Sequence, residues 1–402
     1  MRSILAERDF KLVLVAWGTS MLGDFLALIA LVVRVQETTG SGLAVAALLA
    51  ALGIPAGVLN PLAGWLVDRL ETTRVLAVTS AAQALVALAL ALVDSAGATI
   101  ALALLLGCGL AIEVPAMFAL LPRVVGEERA PRASGMLEAA RYAGLTVGLL
   151  SGGILTGALG PGTTMLVDVA SFALACAAAL ALRTRRRPEP SAAEGDDGMS
   201  AGLRLLGADR VLRLSVLVVG AGLLFAAAVN VAEVFFAKDE LGAGDAGYGA
   251  LAASWGVGMT AGALGSGGRL TGANSSRAVV LMTLGTGVAL GLTAAAPTIG
   301  VALVIFLFGG ASNGISNVAM RVLIQSRVAD ELRGRAYSAY HGGITVVEFL
   351  AYASGGALIE MLGPRGTFAA AGAGALAAGA VGMLVLRRGS SPAPRPPAAL
   401  PR

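Results

Sequence analysis

Apolar runs of 18 or more residues recur from one end of this 402-residue chain to the other, separated by short charged or Gly/Pro-containing connections. Such runs predict helices that cross a lipid bilayer, because about 20 apolar residues in a helix span its hydrocarbon core. Hydrophobic residues form 56% of the chain and charged residues 13%, a balance too apolar for a water-soluble fold of this length. The strands of a membrane β-barrel would alternate instead. The predicted fold class is therefore an all-α polytopic membrane protein.

The apolar runs number twelve and fall into two groups of six. The first six spans are predicted at 12–35, 42–67, 75–93, 99–121, 135–158 and 163–182. The other six are predicted at 214–237, 246–267, 278–295, 299–320, 336–360 and 367–386. We therefore expect four regions, namely a six-helix half at 1–182, a linker loop at 183–213, a second six-helix half at 214–386 and a tail at 387–402. The linker is rich in Arg, Pro and acidic residues, so we expect it to be flexible, and the tail is rich in Pro and Ser, so we expect it to be disordered and cytoplasmic.

Positive charge is distributed unevenly between the two sides of this twelve-span map. If both termini are cytoplasmic, 24 of the 29 Lys and Arg residues lie in cytoplasmic segments, three lie outside and two lie within spans. Positive residues favour the cytoplasmic side of a membrane whatever the fold. The asymmetry predicts a multi-pass protein of the plasma (inner) membrane with both termini and the linker in the cytoplasm.

The connection between the second and third spans carries a glycine, an aspartate four residues later, and basic residues after it. These are Gly64, Asp68, Arg69 and Arg74. The motif resembles the loop between helices two and three of the major facilitator superfamily, a family of membrane transporters with twelve helices in two six-helix halves. We expect Gly64 to let two helices approach, and Asp68 to dock on the N-terminal end of the eleventh span near Arg335. The alternative is an ordinary amphipathic turn.

Further stretches are similar to the branch of that superfamily that contains macrolide and siderophore exporters, which are drug:proton antiporters. They lie at 121–125, 132–135, 167–172 and 325–335, the last of which includes Arg333 and Arg335. The resemblance covers almost the whole chain. It implies proton-coupled efflux of a small amphipathic molecule by alternating access.

The fifth span departs from the pattern of the exporters. Exporters of the superfamily commonly carry a Gly-Pro pair followed by Gly-Gly in this helix. The chain keeps glycines at Gly144, Gly148, Gly152 and Gly153, but Leu149 replaces the proline. We expect the small-residue helix interface to be retained, while the usual sign of export is incomplete.

Ionisable residues within the spans are functional candidates, because a charge at the bilayer centre costs about 2.5–3.5 kcal/mol. Asp24 lies about 20 Å along its helix from Lys11, near the midplane, and Glu113 and Glu348 lie at similar depth. In the family that the chain resembles, helices one, four, seven and ten line the central cavity. The residues so implied are Asp24, Glu113, Asn230, Glu233, Asn313 and Asn317, with Glu348 as a further candidate.

Two interpretations of the intramembrane acids remain open. In the first, Asp24 is the principal proton carrier and Glu113 is the second carboxylate of the same cavity. In the second, each acid only forms hydrogen bonds within the bundle. We expect Asp168, in a supporting helix, to satisfy neighbouring backbone groups.

Several function classes are disfavoured by the sequence. Cys108, Cys176 and the single histidine, His341, cannot assemble a metal cluster, so neither a metal nor a cofactor is expected. The basic residues lie in connections between spans, which argues against nucleic acid as a partner. Lys11 and Lys238, the only lysines, lack the setting of a phosphate-binding loop. We expect a monomeric transporter and not an enzyme, with a small-molecule substrate, protons and the bilayer as partners. The alternatives are metabolite uptake and a nontransporting membrane sensor or scaffold.

Overall fold

The computed structural model describes residues 4–185 and 198–388, and the regular structure in these residues is helical throughout. The first half contains α1 (Arg8–Thr39), α2 (Gly42–Val58), α3 (Asn60–Arg69), α4 (Thr72–Leu92), α5 (Ala96–Val125), α6 (Ala130–Leu159) and α7 (Pro161–Ala181). The helix α8 (Gly198–Ala208) follows. The second half contains α9 (Arg210–Ala226), α10 (Val229–Phe235), α11 (Gly244–Gly265), α12 (Ser275–Ala294), α13 (Ile299–Arg327) and α14 (Arg333–Arg388).

The chain makes twelve membrane crossings in two groups of six. Nine of the described segments are long and apolar enough to cross a membrane by themselves. One of them, α14, has 56 residues and would be about 80 Å long if straight, so it crosses twice, turning at Gly363 with φ 70°. The remaining two crossings are α2 with α3, and α11. The predicted fold class is confirmed.

Two of the predicted spans are not continuous helices. The span predicted at 42–67 divides at Leu59, where α2 ends and α3 begins. Pro61 stands in the first turn of α3, the one place in a helix where its missing N–H is tolerated. The span predicted at 214–237 divides at Ala227 and ends in a π-helical turn at Phe236–Glu240. The sequence therefore predicts where these crossings lie, but not that their helices break.

The prediction of a flexible linker over 183–213 is wrong for its second part, where α8 forms and α9 begins. The helix α8 folds because it has an apolar face to bury, with Leu206 at 4% exposure. Gly202 lies so close to α14 that an added Cβ would be 2.7 Å from the Cβ of Ala339. Residues 186–197 and 389–402 lie outside the described part, so the predictions for them stay predictions, whereas Arg387 and Arg388 belong to α14.

Asp209 connects α8, α9 and α13. Its carboxylate accepts hydrogen bonds of 2.8 Å from the backbone N–H groups of Val211 and Leu212, which caps α9. Its other oxygen accepts a hydrogen bond of 2.8 Å from Arg327 in α13. Partial burial acts to raise the pKa of Asp209, but these hydrogen bonds outweigh burial and hold the pKa below its usual value. The ionised carboxylate is therefore the stable form here.

The glycines of the fifth span pack against two different helices. At Gly144, Gly148 and Gly152 an added Cβ would come within 2.6–2.9 Å of atoms of α1. At Gly153 it would come within 2.9 Å of the Cα of Gly249 in α11. The first three glycines thus hold α6 against α1 within the first half, while Gly153 holds α6 against the second half.

The two halves pack against each other along α6 and α11 and along α2 and α14, and polar contacts join them at one end of the bundle. We call the end where α1 begins the terminal end, and the end where α1 runs into α2 the opposite end. At the opposite end the Nζ of Lys238 lies 2.7 Å from Glu37 Oε1, and Ser41 donates a hydrogen bond of 3.0 Å to Glu360. Both contacts join one half to the other. The structure is therefore closed at the opposite end.

Candidate functional site

Three carboxyl side chains meet inside the first half, one each from α1, α5 and α7. They are Asp24, Glu113 and Asp168, and we call them the carboxyl cluster. Glu113 is 2% exposed and Asp168 is fully buried. Asp24 lies close enough to both for their charges to act on its carboxyl group. Asp168 fits beside α1 because Gly23 has no side chain, and an added Cβ there would be 2.5 Å from Asp168 Oδ1.

Glu113 points into the interior of the first half. The carboxamide of Gln83 in α4 lies beside it. Gly109, one turn before Glu113, makes room for that carboxamide, since an added Cβ would be 2.5 Å from the Cγ of Gln83. A cavity of about 20 Å³ adjoins Glu113 and is lined by α1, α4, α5 and α7. This cavity can hold one water molecule.

The cluster has unused hydrogen-bonding capacity and no cation within the described residues. Within the described residues, Asp24, Glu113 and Asp168 each have one buried oxygen without a hydrogen-bond partner. The nitrogen and the oxygen of the Gln83 carboxamide also lack a partner among these residues. Ser171 donates a hydrogen bond of 3.1 Å to the other oxygen of Asp168. The charged groups that act on Asp24 are the other two acids. Buried carboxyls without a counter-charge need a proton or a cation. Chemically, the cluster can accept and release protons.

A polar cavity of about 250 Å³ lies in the second half. Asn313, Asn317, Tyr340 and Glu348 line it, together with hydroxyl side chains of α12 and α13. The Nδ2 of Asn317 donates a hydrogen bond of 3.2 Å to Asn313 Oδ1, which orients both side chains. The cavity therefore offers hydrogen-bond donors, acceptors and one carboxyl group to a ligand.

The remaining predicted residues of the second half lie near Tyr352, outside the lining of this polar cavity. Asn230 and Glu233 of α10 lie beside Tyr352 of α14, which also lies beside Glu348. Tyr248 of α11 lies near Glu233. The five predicted residues therefore lie in one region of the second half, and we call them, together with Tyr340 and Tyr352, the polar surface of the second half.

Arg321 is a residue of this region that the sequence analysis did not select. It follows Asn317 by four residues on α13 and lies near Tyr340 and His341. Its carbonyl accepts a hydrogen bond of 3.1 Å from the hydroxyl of Tyr337. The spacing of four residues from Asn313 to Asn317 to Arg321 places the three side chains on one helix face. That spacing is the signal that could have identified Arg321.

The loop motif between α3 and α4 differs in part from expectation. An added Cβ at Gly64 would have nothing within 4 Å among the described residues, which contradicts the predicted close approach of two helices there. The guanidinium of Arg69 lies 4.8 Å from the ring centroid of Trp65, and Arg74 pairs with Glu71 at 3.0 Å. These contacts stabilise the turn locally.

The basic residues before the eleventh span also act locally. Arg333 pairs with Asp330 and donates a hydrogen bond of 3.2 Å to the carbonyl of Val328, which stabilises the turn between α13 and α14. Arg335 is exposed at the start of α14. The side chain of Asp68 lies outside the described part, so its docking near Arg335 stays a prediction.

The structure thus divides the predicted cavity residues between two places. Asp24 and Glu113 lie together, but Glu113 lies inside the first half instead of facing a cavity shared by the two halves. The reason is that its side chain points between α1, α4 and α7, where Gly23 and Gly109 leave space. Asp168, which was expected only to satisfy backbone groups, completes the carboxyl cluster.

The sequence matches the family model of the Major Facilitator Superfamily over residues 13–272 and 214–401. No curated protein matches the sequence at a significant level. Several solved structures share the fold. The nucleoside transporter NupG superposes with a TM-score of 0.73 at 14% identity, over 94% of this chain and 99% of its own. A POT family transporter in complex with a thioalcohol-conjugated peptide gives 0.73 at 10% identity, over 96% and 97%.

A third similar structure is a bacterial homologue of the human lysosomal transporter Spinster, in an inward-facing and unoccupied conformation. It superposes with a TM-score of 0.72 at 14% identity, over 96% of this chain and 100% of its own. At these identities the likeness concerns the fold.

Proposed function

Because the chain belongs to the Major Facilitator Superfamily, and is a multi-pass secondary transporter and not an enzyme, we propose that it exports a small amphipathic molecule in exchange for protons. The carboxyl cluster carries the protons, and the polar surface of the second half binds the substrate. The protein acts as a monomer in the plasma membrane, with the terminal end in the cytoplasm.

The observation that carries this proposal is a cluster of three acids, with Glu113 and Asp168 buried and Asp24 half-buried, that has no cation nearby within the described residues. A structural role for Asp24, Glu113 and Asp168 would leave each carboxyl oxygen paired with a donor, because an unsatisfied buried polar group costs about 1–3 kcal/mol. Each instead keeps one unpartnered oxygen within the described residues. Protons that enter and leave the cluster account for this unused capacity.

The polar surface of the second half supports an amphipathic substrate. The carboxyl groups of Glu233 and Glu348 favour a cationic or hydrogen-bonding group, and Tyr340 and Tyr352 offer aromatic faces to an apolar part. Closure at the opposite end leaves the site to be loaded from the terminal end. With that end in the cytoplasm, the structure corresponds to the state that takes up an exported substrate.

Proton exchange links the two sites through the motion of the halves. Protonation of the cluster removes negative charge between α1, α5 and α7, and α1 is held to α6 by the glycines at 144, 148 and 152. A change in the packing of α1 is therefore passed to α6, whose Gly153 contacts α11 of the second half. Two packing states of α1, α6 and α11 suffice for alternating access.

The test uses everted membrane vesicles from cells that express the protein, with ethidium as an amphipathic cationic probe. Respiration acidifies the vesicle interior, and we expect the protein to accumulate ethidium inside. Asp24→Asn should abolish accumulation at matched expression. Glu128→Gln, which removes an exposed acid at the surface, should leave accumulation unchanged.

Other outcomes would support the alternatives. Uptake of labelled uridine or a labelled dipeptide by intact cells, without export of ethidium, would make the protein an importer. If a correctly inserted protein transports none of these compounds, nor any of a wider panel of antibiotics, siderophores and sugars, that result would favour a sensor or scaffold.

A further inference from the structure

A long apolar groove runs along the outside of the second half, between α8, α9 and the first part of α14. Its volume is about 450 Å³. Its walls are apolar or small except for one basic side chain, Arg213, at the terminal end, and Tyr340. Leu217 and Leu350 on its rim are 62% and 57% exposed, so the groove opens toward the bilayer.

The length of the groove matches one leaflet of a membrane. On α9 it extends from Arg213 to Leu224, twelve residues whose ends are about 16 Å apart along the helix. The hydrocarbon core of a bilayer is about 30 Å thick, so one leaflet contributes about half of that. The basic end of the groove therefore lies at the depth of the headgroups, and its apolar length at the depth of an acyl chain.

Small residues create the space. Gly220 on α9 faces Val347 of α14, and an added Cβ there would still be 3.8 Å from the nearest atom of that side chain. At Gly207 and Gly343 an added Cβ would have nothing within 4 Å. The two walls thus stand apart along the groove instead of packing against each other.

Among the described residues, basic side chains lie at the terminal end of the groove. Arg210 and Arg213 lie three residues apart on α9, on the face that continues into the groove. The guanidinium of Arg213 donates a hydrogen bond of 2.9 Å to the carbonyl of Gly207 and so lies at the mouth. The neighbouring acid, Asp209, is engaged by the N-terminus of α9 and by Arg327. Basic residues at headgroup depth attract anionic lipids.

We propose that this groove binds one anionic phospholipid, with an acyl chain between α9 and α14 and the headgroup on Arg210 and Arg213. The lipid has a structural consequence for the polar cavity, because Tyr340 and Ile344 line both spaces. Its acyl chain supports the wall of that cavity from the membrane side. The proposal is independent of what the protein transports.

The test is native mass spectrometry of the purified full chain with two phospholipids of identical acyl chains, phosphatidylglycerol and phosphatidylcholine. We expect one phosphatidylglycerol to be retained in preference to phosphatidylcholine. In Arg210→Gln/Arg213→Gln the preference should fall on the order of tenfold. Arg277→Gln, at the exposed start of α12, is the matched control and should keep it.

A second variant tests the apolar part of the site. Gly343 lines the groove, and an added Cβ there meets open space among the described residues, so Gly343→Leu should place its side chain in the groove and reduce retention of both lipids. Gly291→Leu, where an added Cβ also meets open space, should not. Equal retention of the two lipids by the unaltered protein, or an unchanged preference in the double arginine variant, would overturn the proposal. So would a dimer that Gly343→Leu dissociates, since a second copy would then occupy the groove.

Discussion

Lys238 holds the two halves together at the opposite end. Its Nζ lies 2.7 Å from Glu37 Oε1 in the first half and 2.7 Å from Asp245 Oδ1 in the second. Lys238 is 13% exposed and Asp245 14%, whereas Glu37 is 50% exposed. We predict that Lys238→Met shifts the protein toward the state that is open at this end.

The size of the shift follows from the contact that crosses between the halves. The Lys238–Asp245 pair lies within one half, so we expect it to persist on opening, whereas the pair with Glu37 crosses between the halves and should be lost. An ion pair with a half-exposed partner contributes about 0.2–1 kcal/mol. That amount changes a two-state equilibrium by roughly 1.4- to 5-fold. The loss of Lys238 also leaves Asp245 unpaired, which favours hydration of its carboxylate on opening.

The assay measures a distance across the opposite end by double electron–electron resonance. Spin labels at Leu92→Cys in the first half and Pro297→Cys in the second report on opening, in a background where Cys108 and Cys176 are replaced by Ala. We expect the long-distance population to rise 1.4- to 5-fold in Lys238→Met. Glu37→Gln should give a similar rise, and the double variant should add little to it.

The other lysine of the chain provides the control. Lys11 is exposed at the terminal end, and Lys11→Met should leave the distance distribution unchanged. An unchanged distribution in Lys238→Met, or an equal rise in Lys11→Met, would refute the assignment of Lys238 to closure of the opposite end.

Two further predictions concern stability. Gly148→Ala places a Cβ 2.6 Å from a backbone carbonyl of α1, so it should lower the free energy of unfolding by about 1–3 kcal/mol. Gly135→Ala, whose added Cβ meets open space, should not lower it. Thermal unfolding in detergent measures both variants. Asp209 has a lowered pKa, so its contribution is present above its unfolded pKa near 3.9 and is lost as the pH falls through the lower folded value. We expect Asp209→Asn to lower the free energy of unfolding at neutral pH by about 0.5–2 kcal/mol, much of it through the lost contact with Arg327. The difference from the unaltered protein should shrink in acid. Equal differences at both pH values would contradict this prediction.

The helices were largely predictable from the sequence because crossing lipid imposes a length and a composition on each one. The turn at Gly363 separates two spans that the hydropathy pattern had already divided. The break at Leu59 was not predicted, since the apolar run continues through it and Pro61 is compatible with either one helix or two. The helix α8 was missed because a short amphipathic helix next to a charged run has no signature of its own until α14 offers a surface for Gly202 and Leu206.

The candidate site was predictable as a set of residues but not as an arrangement. Asp24 and Glu113 were identifiable because an acid inside a span is costly wherever it points. That Glu113 faces the inside of its half depends on Gly109 and Gln83, and a glycine in an apolar run gives no indication of which side chain it accommodates. Asp168 was recognised as an intramembrane acid, but its distance from Asp24 is set by the packing of α7 on α1.

The central claim is that the carboxyl cluster couples proton movement to substrate movement. The direct test is proton flux into proteoliposomes that contain the purified protein and the pH-sensitive dye pyranine, started by an ethidium gradient at equal pH on both sides. The account predicts a proton flux opposite to the ethidium flux and its loss in Asp24→Asn/Glu113→Gln, with ethidium binding retained. An ethidium-driven proton flux of unchanged size in that double variant would contradict the account.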